Sequence, residues 1–375
     1  MKNFLFLTYI LFLVVFSIFS YAFIDPNLFY LNKLYSGFAF TNRTLVSEIY
    51  ILFIILFFIF YTYFIWMNYK NQFKFTDLKM LIIVTSAILF FSYPAMLSYD
   101  IFNYIASAKV LFFYHENPYI MMPIDFTGDP LLLFTHAANK LALYGPIWVA
   151  FTKVPYSLGL GNFIFTLFEF KLFVLAFYIG TVMLIWKITK NLFFTSLFSL
   201  NPLIIIETLV GGHNDIVMMF LALFSFFLLM KKKIFWAVVF LTMSLLIKYS
   251  TIFLIPVFAY AVWRIIKKKE VNWEKIFAYA SLSMVVIFFL SFVREEIYPW
   301  YAIWFLIFAF LIHLKKIILY AIVAFCLGLL LRYVPFMATG NYFGTTPVIK
   351  ISLTFLPLLI LFVYLFFKGK LWLKR

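Results

Sequence analysis

Charged side chains are scarce in this chain. They make up 12% of its 375 residues, where a soluble globular protein carries roughly a quarter, so an ordinary water-soluble domain is excluded. Cysteine is scarcer still: Cys326 is the only one, which rules out an intrachain disulfide and a multi-thiolate metal centre. Its place inside an apolar run reads as packing. Strict alternation of apolar and polar residues is also missing, and with it the signature of a membrane β-barrel. No internal repeat, low-complexity linker or soluble insert interrupts the sequence. The chain reads as one membrane domain over residues 1–375.

What is abundant is hydrocarbon. Hydrophobic residues reach 66%, with 55 Phe. Apolar runs of about 15 to 25 residues recur, long enough as helices to cross a hydrocarbon core of about 30 Å. The class is an all-α polytopic membrane protein. Lys and Arg outnumber Asp and Glu by 30 to 14, but they cluster at the ends of apolar runs. There they act as topology signals rather than as a nucleic-acid-binding face. The first run, FLFLTYILFLVVFSIFSYAF from Phe4, exceeds the usual core of a signal peptide and is read as an uncleaved helix.

Placing the Lys and Arg clusters in the cytoplasm gives about twelve crossings. Helices are expected near 4–24, 46–67 and 80–97, followed by an outer segment over 98–160 that holds Pro118, Pro123, Pro130, Pro146 and Pro155. Short amphipathic stretches there are expected to lie in the interface. Residues 144–158 are read among them because Lys153 sits between two prolines. Later outer turns fall at GGHND (211–215), around Lys248, at REEIYPWY (294–301) and at MATGNYFGTTP (337–347).

Polar side chains gather on that outer side. A charge at membrane depth costs roughly 2.5 to 3.5 kcal/mol on insertion scales, so it normally faces a cavity or a partner. The stretch YDIFNYIASAKVLFFYHENPY (99–119) places Asp100, Asn103, Tyr104 and Ser107 on one helical face. Asp100 is equally readable as an N-cap and as a catalytic carboxylate, and HENPY as a helix stop before proline. In GGHND, capping explains Asn214 or Asp215 but not both together with His213, and Glu207 adds a carboxylate one turn earlier. Lys248 either snorkels to the interface or meets a lipid-linked phosphate, with Arg294 and Arg332 as alternatives for that role. Tyr298, Trp300, Tyr301 and Trp304 surround Pro299, as an aromatic belt or as a stacking platform for a sugar ring.

Five stretches in this order carry a resemblance: SYDIFNYIASAKVLFFYHENPY, YGPIW, NPLIIIETLVGGHND, LLIKYSTIFLIP and YPWYAIW. They resemble the membrane-embedded GT-C glycosyltransferases, above all the bacterial mannosyltransferases that use polyprenyl-phosphate-linked mannose. The likeness covers a core of about residues 80–310 and leaves 311–375 as C-terminal helices. It implies a GT-C-like bundle that moves a hexose, mannose by preference, from polyprenyl phosphate to a glycolipid or glycan acceptor, with inversion. The site would face the extracytoplasmic side of the plasma membrane.

In that reading Asp100 is the general base, and Lys248, Arg294 and Arg332 are the candidates for the donor phosphate. Asn103, Tyr104, Asn117, Tyr119, Tyr144, His213, Asn214, Asp215, Tyr298, Trp300 and Tyr301 are the candidate substrate contacts. The chain departs from the family in having two extra helices before the outer segment. It also has Ser107, Ala108 and Lys109 where relatives carry Gly-Arg. No cofactor is required by the sequence; for a divalent metal, His115, Glu116, His213 and Asp215 are candidate ligands of non-diagnostic spacing. The partners implied are the donor, the acceptor and membrane lipid, and no nucleic acid. The competing classes are a lipid-linked glycan flippase, for which inverted repeats are expected, and a polysaccharide polymerase.

Overall fold

A computed structural model describes residues 2–31, 37–294 and 296–372. Every regular element among them is helical. Seven helices are long and apolar enough to cross a membrane: Phe4–Phe23, Arg43–Tyr69, Phe163–Thr189, Tyr249–Ile266, Trp273–Val293, Lys316–Thr339 and Thr346–Lys368. The pair Leu192–Ser199 and Pro202–Val210, bent by 51°, makes an eighth if it counts as one span. The expected twelve also included Phe75–Phe90, Asp215–Met230, Ile234–Leu245 and Pro299–Ala309, which are helical but shorter. By length and composition the chain is a multi-pass membrane protein with seven or eight candidate spans.

The aromatic richness has a packing reason. Phe6, Tyr9, Phe12, Leu13 and Phe16 recur at three- and four-residue spacing and are buried, so one stripe of the first helix faces a neighbour. That neighbour is Arg43–Tyr69, met by ring pairs Phe12–Phe57 at 4.6 Å, Phe16–Phe57 at 4.9 Å and Tyr9–Phe64 at 5.2 Å. Lipid tails are as apolar as Phe, so the fit of these rings selects the pairing more than the hydrophobic effect does.

The third helix departs from its expected range. It runs Phe75–Phe90 rather than 80–97, and the chain then turns through Ser92 and a short 3-10 helix, Pro94–Met96. The cause lies on another helix. Lys171, 2% exposed on Phe163–Thr189, donates to the Leu89 carbonyl at 3.0 Å, the Ser92 carbonyl at 2.5 Å and the Ser92 Oγ at 3.1 Å. The last carbonyls of a helix have no intrahelical donor, and a buried lysine nitrogen needs acceptors. Each satisfies the other, and the exit point of the chain toward residue 98 is fixed.

Residues 98–160 hold no candidate span. Their elements are the helix Asp100–Phe112, the 3-10 turns Pro123–Asp125 and Pro130–Leu133, and the six-residue helices Pro146–Phe151 and Lys153–Leu158. Six residues rise about 9 Å, so neither helix within 144–158 is long enough to cross alone. Asp129, buried, ties the segment together by accepting from Lys109 Nζ at 2.8 Å, Tyr114 Oη at 2.9 Å and the Leu131 N–H at 2.9 Å. Lys109, where relatives carry Arg, is thus engaged inside the segment.

Its far end docks backbone to backbone. The Gly145 N–H donates to the Ile247 carbonyl at 2.9 Å and the Ile147 N–H to the Leu246 carbonyl at 3.1 Å. A Cβ at position 145 would lie 2.1 Å from the Leu246 oxygen, so only glycine permits the contact. Gly145→Ala is expected to cost about 1–3 kcal/mol through overpacking and to displace Lys248. A thermal melt in detergent combined with an activity assay checks both.

Candidate active site

Three chain breaks bring the polar residues together. The first is the start of Asp100–Phe112. Tyr99 holds the N-cap position without a side-chain cap, and Asp100 sits in the first turn with its own N–H donating to Ser98 Oγ at 3.3 Å. Capping therefore does not account for the carboxylate. The second break is Ile206–Val210, which is a π-helix, a form concentrated at functional sites. It ends at Val210, with Gly211 as its cap, and Gly212 follows with a φ of +68°, in the left-handed region that suits glycine. The chain turns there and sets His213, Asn214 and Asp215, all fully buried, at the head of Asp215–Met230. The third break is Lys248, between Ile234–Leu245 and the 3-10 helix Tyr249–Leu254.

His213 lies between two carboxylates. Its Nδ1 is 3.5 Å from Asp100 Oδ2 and its Nε2 is 3.2 Å from Glu207 Oε2. Neither approach has the alignment of a finished hydrogen bond, so both are ion pairs first. Burial pulls the imidazole pKa down, but Asp100 and Glu207 outweigh burial and set it at about 9. Burial likewise raises Asp100; His213, Lys248 and Tyr144 together overcome it and hold the carboxyl below its ordinary value. At neutral pH Asp100 is then a carboxylate and His213 an imidazolium. Trp300 lies against the imidazole at 4.0 Å with planes 13° apart, and Tyr298 stacks on Trp300 at 4.7 Å. An indole face suits a cation.

Asp215 organises the second half. Its Oδ2 accepts from Lys248 Nζ at 2.7 Å and its Oδ1 from Trp304 Nε1 at 2.6 Å. The Lys248 ammonium rests over Tyr301 at 5.1 Å and Tyr144 at 5.6 Å, and Trp304 stacks on Tyr301 at 4.1 Å. Tyr104 meets Tyr144 edge-on at 4.8 Å, and its hydroxyl accepts from the Asn214 N–H at 3.3 Å. The Asn214 amide is fully buried, and neither its oxygen nor its nitrogen has a hydrogen-bond partner. Buried polar atoms are rarely left so. Asn103 Oδ1 is in the same condition.

A family model described as alpha-(1->6)-mannopyranosyltransferase, N-terminal domain, matches residues 10–264. The chain belongs to this family. No curated protein and no solved structure matches it. The mannosyltransferase is therefore a glycosyltransferase enzyme, and the matched segment holds Asp100, Glu207, His213, Asp215 and Lys248. Trp300, Tyr301, Trp304, Arg332 and Tyr333 lie beyond it.

Within the mannosyltransferase, the structure gathers Asp100, Tyr104, Tyr144, His213, Asn214, Asp215, Lys248, Tyr298, Trp300 and Tyr301, with Asn103 one turn along from Asp100. Tyr119 reaches this group only through its hydroxyl, which donates to the Tyr144 carbonyl at 2.7 Å. Asn117 is exposed, and its Oδ1 accepts the Tyr119 N–H at 3.0 Å, the geometry of a turn. Arg332 is engaged elsewhere, 3.4 Å from Glu296 and donating to Thr354 Oγ1 at 3.3 Å, and Glu296 also takes Lys350 at 2.9 Å. Arg294 ends its helix, and its side chain lies outside the described residues. Among the described residues no three His, Cys, Asp or Glu side chains are grouped to hold a metal, so His115, Glu116, His213 and Asp215 do not form one ligand set.

Trp304 and Glu207, noted in the sequence but not among the candidate contacts, and Tyr333, not singled out at all, belong to the site. Tyr333 Oη donates to Glu207 Oε1 at 3.0 Å. A carboxylate in an apolar run was the available signal for Glu207; nothing in the sequence separates Trp304 from an interfacial tryptophan.

Proposed function

We propose that the enzyme transfers mannose from a polyprenyl phosphate to a hydroxyl of a glycolipid or glycan at the extracytoplasmic face of the plasma membrane. The observation that carries this reading is the pairing of Asp100, ionised and 22% exposed at its side chain, with the Lys248 ammonium on the far side of Tyr144. Asp100 takes the proton of the acceptor hydroxyl as that oxygen bonds to the anomeric carbon. The bond from that carbon to the phosphate oxygen breaks, and the phosphate leaves with the electron pair. Lys248 commits one N–H to Asp215 and has two more for the developing negative charge.

The unpartnered amide of Asn214 and the Oδ1 of Asn103 suit sugar hydroxyls, while Trp300, Tyr298 and Tyr301 offer stacking faces. Tyr104 and Tyr144 meet edge-on beside Lys248. The family name suggests an α-(1→6) product. A single displacement inverts the anomeric centre, so an α product calls for a β-linked donor.

Membranes containing the enzyme, given radiolabelled polyprenyl-phosphate mannose, are expected to move label into lipid or glycan, with an α-(1→6) linkage by NMR of the product. Transfer from a nucleotide sugar with none from the polyprenyl phosphate would overturn the donor assignment. Uptake or flipping of the labelled lipid without transfer would favour a flippase.

A further inference from the structure

We propose that Glu207 is a positioning residue of this site, holding His213 as an imidazolium that keeps Asp100 ionised and in place. The inference rests on the reading of Asp100 as the base.

The geometry demands the charge. A neutral imidazole carries one N–H and one lone pair, so against two carboxylates it could serve one and would turn its lone pair toward the other. Here both ring nitrogens face carboxylate oxygens, Asp100 at 3.5 Å and Glu207 at 3.2 Å. If both carboxyls are ionised, only the doubly protonated ring serves both. Glu207 is itself fixed. It is fully buried, it sits in the π turn, and the Tyr333 hydroxyl holds its other oxygen at 3.0 Å. With Trp300 flat against the imidazole at 4.0 Å, the ring has little freedom to tilt away.

The surroundings do not supply the charge in another way. Around His213 stand Asp100, Glu207, Tyr104 and Tyr333, and beyond them Tyr144 and the Asp215–Lys248 pair. Arg332, next to Tyr333, is engaged by Glu296 at 3.4 Å. Lys248 is closed on Asp215 at 2.7 Å. The two carboxylates flanking the ring are the groups that hold its second proton. Glu207 meets His213 and Tyr333, so its effect on Asp100 passes through His213.

The test reads the imidazole directly, by ¹⁵N-histidine NMR of the full chain in detergent, with the His213 signal among four histidines assigned through His213→Gln. The wild-type ring is expected to stay doubly protonated up to about pH 9. In Glu207→Gln its titration should drop by at least one pH unit, and Glu207→Asp should recover part of that drop. The kcat/KM profile should narrow in Glu207→Gln from the alkaline side, because His213 loses its proton sooner. The acid limb, where His213 is protonated in both forms, should hardly move. KM for the donor should stay within about twofold.

A neutral His213 at pH 7 in the wild type, or an unchanged titration in Glu207→Gln, overturns the proposal. Should Glu207→Gln fail to fold, the wild-type titration and Glu207→Asp decide. Because the NMR arm needs no transfer, an enzyme that stays active as Asp100→Asn would sink the assigned base while leaving the imidazolium measured.

Discussion

Asp100→Asn lowers mannosyl transfer by about 10²- to 10⁴-fold, the range a general base contributes, while KM for the donor stays close to that of the wild type. The amide fills the same space and offers an oxygen to His213, but it accepts no proton at neutral pH. The effect should therefore fall on kcat. Steady-state kinetics in detergent or nanodiscs check it, and retention of more than a tenth of the activity would remove Asp100 from the mechanism. The wild-type acid limb reports the same residue. His213 and Lys248 hold its carboxyl below the ordinary value, so activity should persist at pH values where an unassisted carboxylate is already protonated.

Lys248→Met has the larger structural consequence. It strips the 2.7 Å partner from Asp215, whose side chain is fully buried, and leaves that carboxylate with the Trp304 N–H alone. Removing one member of a buried pair costs about 3–5 kcal/mol, whereas replacing both by apolar groups of similar volume is often close to neutral. The double variant Lys248→Met/Asp215→Leu should therefore recover most of the lost thermal stability and remain inactive. Recovery of activity together with stability would mean that Lys248 serves folding only. Stability that fails to recover would mean that the pair holds more than itself in place.

Charge against a greasy background made much of this site legible. Asp100, His213, Asp215 and Lys248 stand out because each is costly in lipid, and all four meet in space. The helical class follows from run length for the same reason. What stayed hidden depends on events that periodicity does not register. The π turn at Ile206–Val210 aims Glu207, and a 3.6-residue pattern cannot announce it. The third helix stops at Phe90 because a lysine eighty-odd residues later caps it, a contact without local trace. Trp304 and Trp300 look identical to belt residues, yet one bonds Asp215 and the other covers His213. Asn117 sits in a motif that resembles a substrate loop, and its side chain closes a turn. Short helices such as Asp215–Met230 match expected crossings while falling below the length of a full span.

The flat contact between Trp300 and His213 has a use beyond catalysis. A protonated imidazole against an indole ring quenches its fluorescence, and a neutral one does so far less. The mannosyltransferase thus carries an optical gauge of its own proton inventory, set 4.0 Å from the ring that holds the proton. Emission present in the wild type and absent from Trp300→Phe would belong to that indole. Light from one tryptophan would then follow the titration of His213, without any label added.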